Sequence, residues 1–191
     1  QWDNAPDIAP EQQEAAWLRD QPAIDFHYGA PEDTDQADDV VRATFSRPYV
    51  AHASMAPSCA LARFSDGHLT VWSHGQGMHP LAKNIADVLD LPETSVTAKH
   101  LPGAGCYGHN GADDVALDAA VVALQRPGQC IRLQWRREEE FGFEPFGPAM
   151  LTDLRVRIDD AGRPMDWTAE IWSPTHVQRP LAGAGRLLAS D

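Results

Sequence analysis

The sequence predicts an α+β fold, a mixed sheet with hairpins and two main packed helices. Three observations predict it. Two alternating runs, residues 58–64 and 68–73, flank Ser65-Asp66-Gly67, the pattern of a β-hairpin. The apolar period then switches from 2 to 3.6 at Met78 and again at Ala112, marking a helix each time. Strands alternate with these helices before a second hairpin closes the series, so β-α-β crossovers are mixed with hairpins.

Each element has its own warrant. Strands begin near Val40, where Val-Val-Arg-Ala-Thr-Phe-Ser alternates and is β-branched. Residues 78–90 read as a helix: Pro80 suits its first turn, Leu81, Ile85, Val88 and Leu89 form a stripe, and Leu91-Pro92 stops it. Residues 95–101 read as a strand. Residues 112–124, rich in Ala and Val, predict a mostly buried helix ended by Pro127-Gly128, and residues 130–135 a strand. Residues 151–158 and 165–172 surround Asp159-Asp-Ala-Gly-Arg163, the second hairpin. Cys59 and Cys130, within strands, are expected to be buried small apolar residues. Arg136-Arg137-Glu138-Glu-Glu140 reads as a solvated strand-to-helix corner.

Residues 1–40 differ from the rest. They hold eleven acids and one base, Arg19, while the whole chain has Lys+Arg 15 and Asp+Glu 28, a net charge of −13. They read as an acidic strap or linker interrupted by Pro6, Pro10, Pro22 and Pro31, with a charge run over residues 32–39 and one short helix at about 10–19. Residues 41–180 read as the core-forming part, and residues 181–191 as the truncated start of a further helix. The opening Gln-Trp-Asp-Asn has neither an initiator Met nor a signal-peptide pattern, so a cut from something longer is expected.

Composition excludes several classes. Such an acidic chain is a poor partner for nucleic acid or an anionic membrane. No apolar run approaches the roughly 18–20 residues that span a bilayer. Three cysteines without a CxxC pair argue against a disulfide framework or thiolate zinc site. His74 and His79 are five apart, with no i, i+4 spacing and no close carboxylate, so they read as hydrogen-bonded loop histidines and no metal ligands are expected.

The strongest local feature is Gly103-Ala-Gly105-Cys-Tyr-Gly108-His-Asn-Gly111-Ala-Asp-Asp114, between a strand and a helix. Its glycines let backbone N–H groups turn outward toward an anion, with the helix N-terminus beyond. A plain turn with Asn110 or Asp113 capping the helix is the structural alternative. Gly103-x-Gly105-x-x-Gly108 fits a dinucleotide fingerprint poorly, because His109-Asn110-Gly111 delay the helix and no acid follows at the ribose position. Cys106 could serve as a nucleophile or sulfur ligand. Trp72-Ser-His74-Gly-Gln76 also leaves a strand for a helix, and an exposed Gln76 offers both a donor and an acceptor.

Four motifs in order resemble the xanthine oxidase family of molybdenum hydroxylases: His52-Ala-Ser-Met-Ala-Pro57-Ser-Cys-Ala, Val71-Trp72 with Gln76, the glycine loop, and Trp135-Arg-Arg-Glu-Glu-Glu140. Within it the chain is most similar to the molybdopterin-binding large subunit of the isoquinoline 1-oxidoreductase and nicotinate dehydrogenase branch, often labelled aldehyde dehydrogenases. The resemblance implies part of a molybdopterin-binding domain. It implies hydroxylation of an aldehyde or N-heterocycle carbon with water-derived oxygen, and electrons leaving through an iron–sulfur subunit or domain. Gln76 then approaches a molybdenum oxo ligand and Tyr107 lines the substrate channel, the two candidate catalytic residues. Gln76, Gly103, Gly105, Cys106, Tyr107 and Gly108 bind the molybdenum-pterin, in a dinucleotide form. The family's general-base Glu falls beyond this chain. Gly111 stands where purine-oxidising members carry a Glu, and Glu144-Pro-Phe-Gly-Pro148 where they carry an Arg, so purine oxidation is not expected. Met55-Ala56-Pro57 also departs from the Met-Glu-Pro of many relatives.

The chain alone is expected to be inactive, to bind no cofactor, to need the remainder of the large subunit, and to form a non-native homodimer through apolar surface near Trp167, Trp172 and Leu187-Leu188. Two other readings stand beside this one: a self-contained nucleotide- or phosphate-binding module using the 103–111 loop, and a non-catalytic interaction domain.

Overall fold

The computed structural model describes residues 15–29 and 40–174, which divide into two compact bodies. One contains residues 51–147, the other the described residues up to Val50 and from Pro148 on.

The larger body is a mixed four-stranded sheet under two helices. Its strands are β2 (Cys59–Ser65), β3 (His68–Ser73), β4 (Val96–His100) and β5 (Cys130–Gln134), in the order β4-β3-β2-β5. β2 pairs antiparallel with β3 and β5, and β3 pairs parallel with β4. Asp66 (φ 53°) and Gly67 (φ 75°) make the two-residue turn between β2 and β3, with both residues left-handed as a type I′ hairpin requires. Alternate residues of the strands, Ala60, Ala62, Leu69 and Val71, are buried against α1 (Met78–Val88) and α2 (Ala112–Leu124). Leu81 and Ile85 carry the α1 stripe, with Val88 and Leu89 packed at its margin. In α2, Val115, Ala116, Ala119, Ala120 and Ala123 are buried. Small side chains let this helix lie close on the sheet.

The other faces of β2 and β5 point away from the helices. Cys130 is therefore exposed, and Cys59 is half-buried, contrary to the burial expected of both. The predicted solvated corner is also corrected. Residues 137–143 form a short helix, α3 (Arg137–Phe143), and Glu140 within it is completely buried. It turns inward because three donors of residues 54–58 await it, described below.

The smaller body is an antiparallel sheet of β1 (Val40–Arg47), β6 (Met150–Ile158) and β7 (Pro164–Trp172), in the order β1-β6-β7. Asp159 shapes the β6–β7 turn: its Oδ1 accepts the N–H groups of Ala161 (2.9 Å) and Arg163 (2.8 Å). One face carries Leu151 and Trp172 packed with Leu18 and Ala149, and Arg19 lies over the Trp172 ring. Arg19 also pairs with Asp153. The opposite face carries Val41, Phe45, Trp167 and Ile171, all exposed. Trp172 thus does not share the exposed surface of Trp167, since residues of opposite parity in one strand point to opposite faces.

The single predicted sheet is two sheets, because β1 finds its partner in β6 rather than in the nearby hairpin. The described part of the expected 10–19 helix is a 3-10 segment, Ala15–Asp20. The 32–39 charge run, residues 181–191 and Leu187-Leu188 lie outside the described residues. Among the described residues no helix is long and apolar enough to cross a membrane.

Candidate functional site

β3 and β4 run parallel, so the loops after Ser73 and after His100 leave the same end of the sheet. Ligands of open α/β sheets gather at the carboxyl ends of parallel strands. These two loops are residues 74–77, with Gln76, and residues 101–111, with the glycines.

Hydrogen bonds tie the two together. The Leu101 N–H donates to Ser73 O (2.9 Å), and the Ser73 hydroxyl donates to Ala112 O (2.8 Å) while accepting the Gly75 N–H (3.2 Å). Gly75 O faces His100 Nδ1 at 3.0 Å, which makes Nδ1 the protonated nitrogen. A Cβ on Gly75 would stand 2.6 Å from Asp113 Oδ1, so only glycine brings the backbone this close to the start of α2. Gln76 follows, exposed.

Left-handed backbone sets the shape of the second loop. Gly105 (φ 82°), Tyr107 (φ 54°) and Gly108 (φ 139°) all occupy it. The Tyr107 ring folds over Gly105, where a Cβ would meet it at 2.9 Å, yet Tyr107 remains 60% exposed. Cys106 Sγ donates to Gly108 O (2.8 Å). Asn110 is buried beneath the turn: its amide donates to Gly105 O (2.7 Å) and its Oδ1 accepts the Ala112 N–H (3.2 Å). The N-cap of α2 is Gly111, neither of the two residues expected, and Asn110 satisfies the first helical N–H from the position before it.

The glycines have a second role that the sequence did not reveal. A Cβ on Gly103 would enter the His74 ring, one on Gly108 the His52 ring, and one on Gly111 the Trp135 ring. The loop is seated on aromatic and imidazole faces as much as it is turned outward.

His74 is hydrogen-bonded, as expected. Its Nε2 accepts the Cys59 N–H (3.3 Å), and Asn110 Nδ2 approaches Nδ1 at 3.4 Å. Burial lowers its pKa, against the opposing pull of Glu140 and Asp113. Burial pushes the Asp114 carboxyl up to about 6, with the nearby Asp113 adding to it. His109 Nε2 lies 3.7 Å from Asp113 Oδ2. Among the described residues no group of three His, Cys, Asp or Glu side chains is placed to hold a metal ion.

Beside the glycine loop a cleft of about 380 Å³ opens between Pro57, Cys59, Trp72, His74, Gly103 and Ala104. Among the described residues, no hydrogen bond is donated by the N–H of Gly103, Gly105 or Tyr107, all three exposed. Exposed backbone donors on a side-chain-poor turn suit an anionic, hydrogen-bonding group. Two acids stand at the start of α2: Asp113 is buried beneath Gly75, and burial raises the pKa of Asp114 to about 6. The residues present therefore fit a phosphate- or pterin-like group.

Fold and site together describe a cofactor-binding domain built at the end of a parallel strand pair. The pattern that defines the molybdopterin cofactor-binding domain matches residues 15–178, and this chain belongs to that family. One of the nicotinate dehydrogenase subunits of Pseudomonas putida is 44% identical over 109 residues, 56% of this chain and 9% of that protein. A membrane-bound aldehyde dehydrogenase (pyrroloquinoline-quinone) of Gluconacetobacter polyoxogenes is 25% identical over 130 residues, 67% of this chain and 17% of that one. Among solved structures, the aldehyde oxidoreductase of Desulfovibrio gigas superposes with TM-score 0.64 at 18% identity, over 83% of this chain and 19% of that one. Quinoline 2-oxidoreductase of Pseudomonas putida 86 gives TM-score 0.63 at 18% identity, over 72% and 18%. The chain spans about a tenth to a fifth of the length of these relatives. The resemblance read from the four motifs holds, and a self-contained nucleotide module is not favoured.

Proposed function

We propose that this chain supplies two loops of the molybdenum-pterin site in a hydroxylase or dehydrogenase subunit acting on an aldehyde or N-heterocycle. The observation that carries the reading is the convergence of the 74–77 and 101–111 loops at the carboxyl end of β3 and β4, in a domain of the molybdopterin family. The names of the relatives, nicotinate dehydrogenase, quinoline 2-oxidoreductase and aldehyde oxidoreductase, support this substrate class.

When bound, the molybdenum group supplies the redox chemistry at the substrate carbon. This chain's residues bind and orient. The N–H groups of Gly103, Gly105 and Tyr107 donate to the group's polar edge, and Gly108 holds the turn. Cys106, tied to Gly108 O, stiffens the tip of the loop. Gln76 donates from its amide where charge develops, and Tyr107 lines the approach of the substrate. A dinucleotide form of the pterin, an iron–sulfur subunit or domain as electron acceptor, and the rest of a large subunit complete the proposal. The acidic residues 1–40 act as a strap. The 191 residues alone hold no cofactor, since two loops must offset roughly 4–15 kcal/mol of lost rigid-body freedom. The bare apolar face of Val41, Phe45, Trp167 and Ile171 then favours self-association of the isolated chain.

Gln76→Ala in the full-length protein tests the site. Turnover should fall about a hundredfold with molybdenum content unchanged, because a donor aimed at developing charge acts on rate. Loss of metal in parallel with activity, and no further loss, would overturn the role of Gln76.

A further inference from the structure

We infer that His52 and His74 are positioning residues, two imidazole seats that fix the ends of the 103–108 turn and so aim Tyr107. The inference rests on the reading of this turn as a cofactor loop.

The geometry begins with the two glycines. The His74 ring fills the space beside Gly103, and the His52 ring fills the space beside Gly108. Between these contacts lie Gly105 and Tyr107, both left-handed. The turn is therefore pinned at both ends and strained in the middle. A shift at either seat redirects the Tyr107 side chain.

Both seats belong to one clamp. His52 Nδ1 lies 2.9 Å from Pro145 O, so it carries the proton and donates there. His74 Nε2 holds the Cys59 N–H. His52 and Cys59 thus bracket residues 53–58, and α3 with its flank grips that segment throughout. Arg137 donates to Ser54 O (2.8 Å) and Met55 O (2.9 Å). Glu140 accepts the Ser58 N–H (2.6 Å), the Ser58 hydroxyl (2.9 Å) and the Ser54 hydroxyl (3.3 Å). Glu144 accepts the Ala53 N–H (3.3 Å).

A fully buried carboxylate is costly, and an apolar side chain would fill a core more cheaply. What Glu140 provides instead is a fixed distance between α3 and residues 54–58, and hence between the two histidines. The segment and α3 are far apart in sequence and otherwise have little apolar surface to hold them: Met55 is 79% exposed and Phe143 is 70% exposed.

Cys106 reports on the seat, because its thiol is bound to Gly108 O. The experiment uses the full-length protein, with iodoacetamide labelling read by peptide mass spectrometry and exposed Cys130 as internal reference. His52→Ala should speed Cys106 alkylation severalfold relative to Cys130. It should lower kcat about tenfold to a hundredfold, as displacement of a positioning group does, with molybdenum content retained. His52→Asn keeps a donor for Pro145 O, and so the fold of the segment, but removes the ring edge against Gly108. It should raise Cys106 reactivity as His52→Ala does. Unchanged Cys106 reactivity in both variants would overturn the seat. Raised reactivity with turnover and molybdenum content at wild-type values would support the seat and sink the cofactor role of the loop.

Discussion

Glu140 and Ser58 share two hydrogen bonds across 82 residues of chain, the Ser58 backbone N–H and its hydroxyl both ending on one buried carboxylate. Removing the carboxylate leaves both donors without an acceptor in a site closed to water. Glu140→Ala should cost about 3–5 kcal/mol. Urea unfolding checks this through a lowered midpoint at unchanged slope. Glu140→Gln, which keeps one acceptor oxygen, should fall between.

Gly111 and Trp135 give a second stability test. The Trp135 ring occupies the volume a Gly111 side chain would need, and its Nε1 donates to Asp118 Oδ2 (2.9 Å). The ring cannot retreat without losing that bond. Gly111→Ala should cost about 1–3 kcal/mol, the range of overpacking. A thermal midpoint equal to wild type would show the ring free to move.

Asp114 sets a pH dependence. Its folded pKa of about 6 lies above its ordinary 3.8, so between these values the folded state binds more protons than the unfolded. Stability from this group is present below pH 3.8 and is lost as pH rises through 6. Asp114→Asn should therefore stabilise the protein at pH 7.5, on the order of 2 kcal/mol, with the gain vanishing near pH 4. Thermal unfolding of both proteins across this range measures the difference.

His74 works in the opposite direction. Burial depresses its pKa below 6.5, so below that pH the unfolded chain takes up a proton that the folded one refuses. Its contribution is complete above pH 6.5 and declines as pH falls toward the folded pKa. The His74 imidazole C–H resonances should titrate below pH 6.5. Titration of His74 above 6.5 would contradict its neutral, doubly contacted state.

Periodicity carried most of the fold. The α1 stripe, the Ala-rich α2 and both hairpin turns were legible because each is a local pattern of one apolar face or one left-handed residue. The partition into two sheets was not, because Val40 pairs with Arg157 and nothing local to either strand selects the other. The burial of Glu140 is hidden for a related reason. Three adjacent glutamates look solvated, and only the distant Ser54 and Ser58 distinguish the third. In the site, a glycine-rich turn with outward backbone N–H groups was visible. The rings against Gly103, Gly108 and Gly111 were not, since a missing Cβ does not say what fills its place. His52 stood in plain view at the head of a motif, without a sign that it meets the glycine loop.

The pairing of β1 with β6 has a topological consequence. Arg47 and Met150 are direct cross-strand partners, so the chain leaves the three-stranded sheet and returns to it across one interstrand gap, roughly 5 Å wide. Residues 51–147 are thus an insert spliced into the tip of what would otherwise be an ordinary meander. A two- to five-residue turn of the usual hairpin kind could bridge the same gap. The mixed sheet with its loops is in this sense a cassette, delivered and retrieved at a single point.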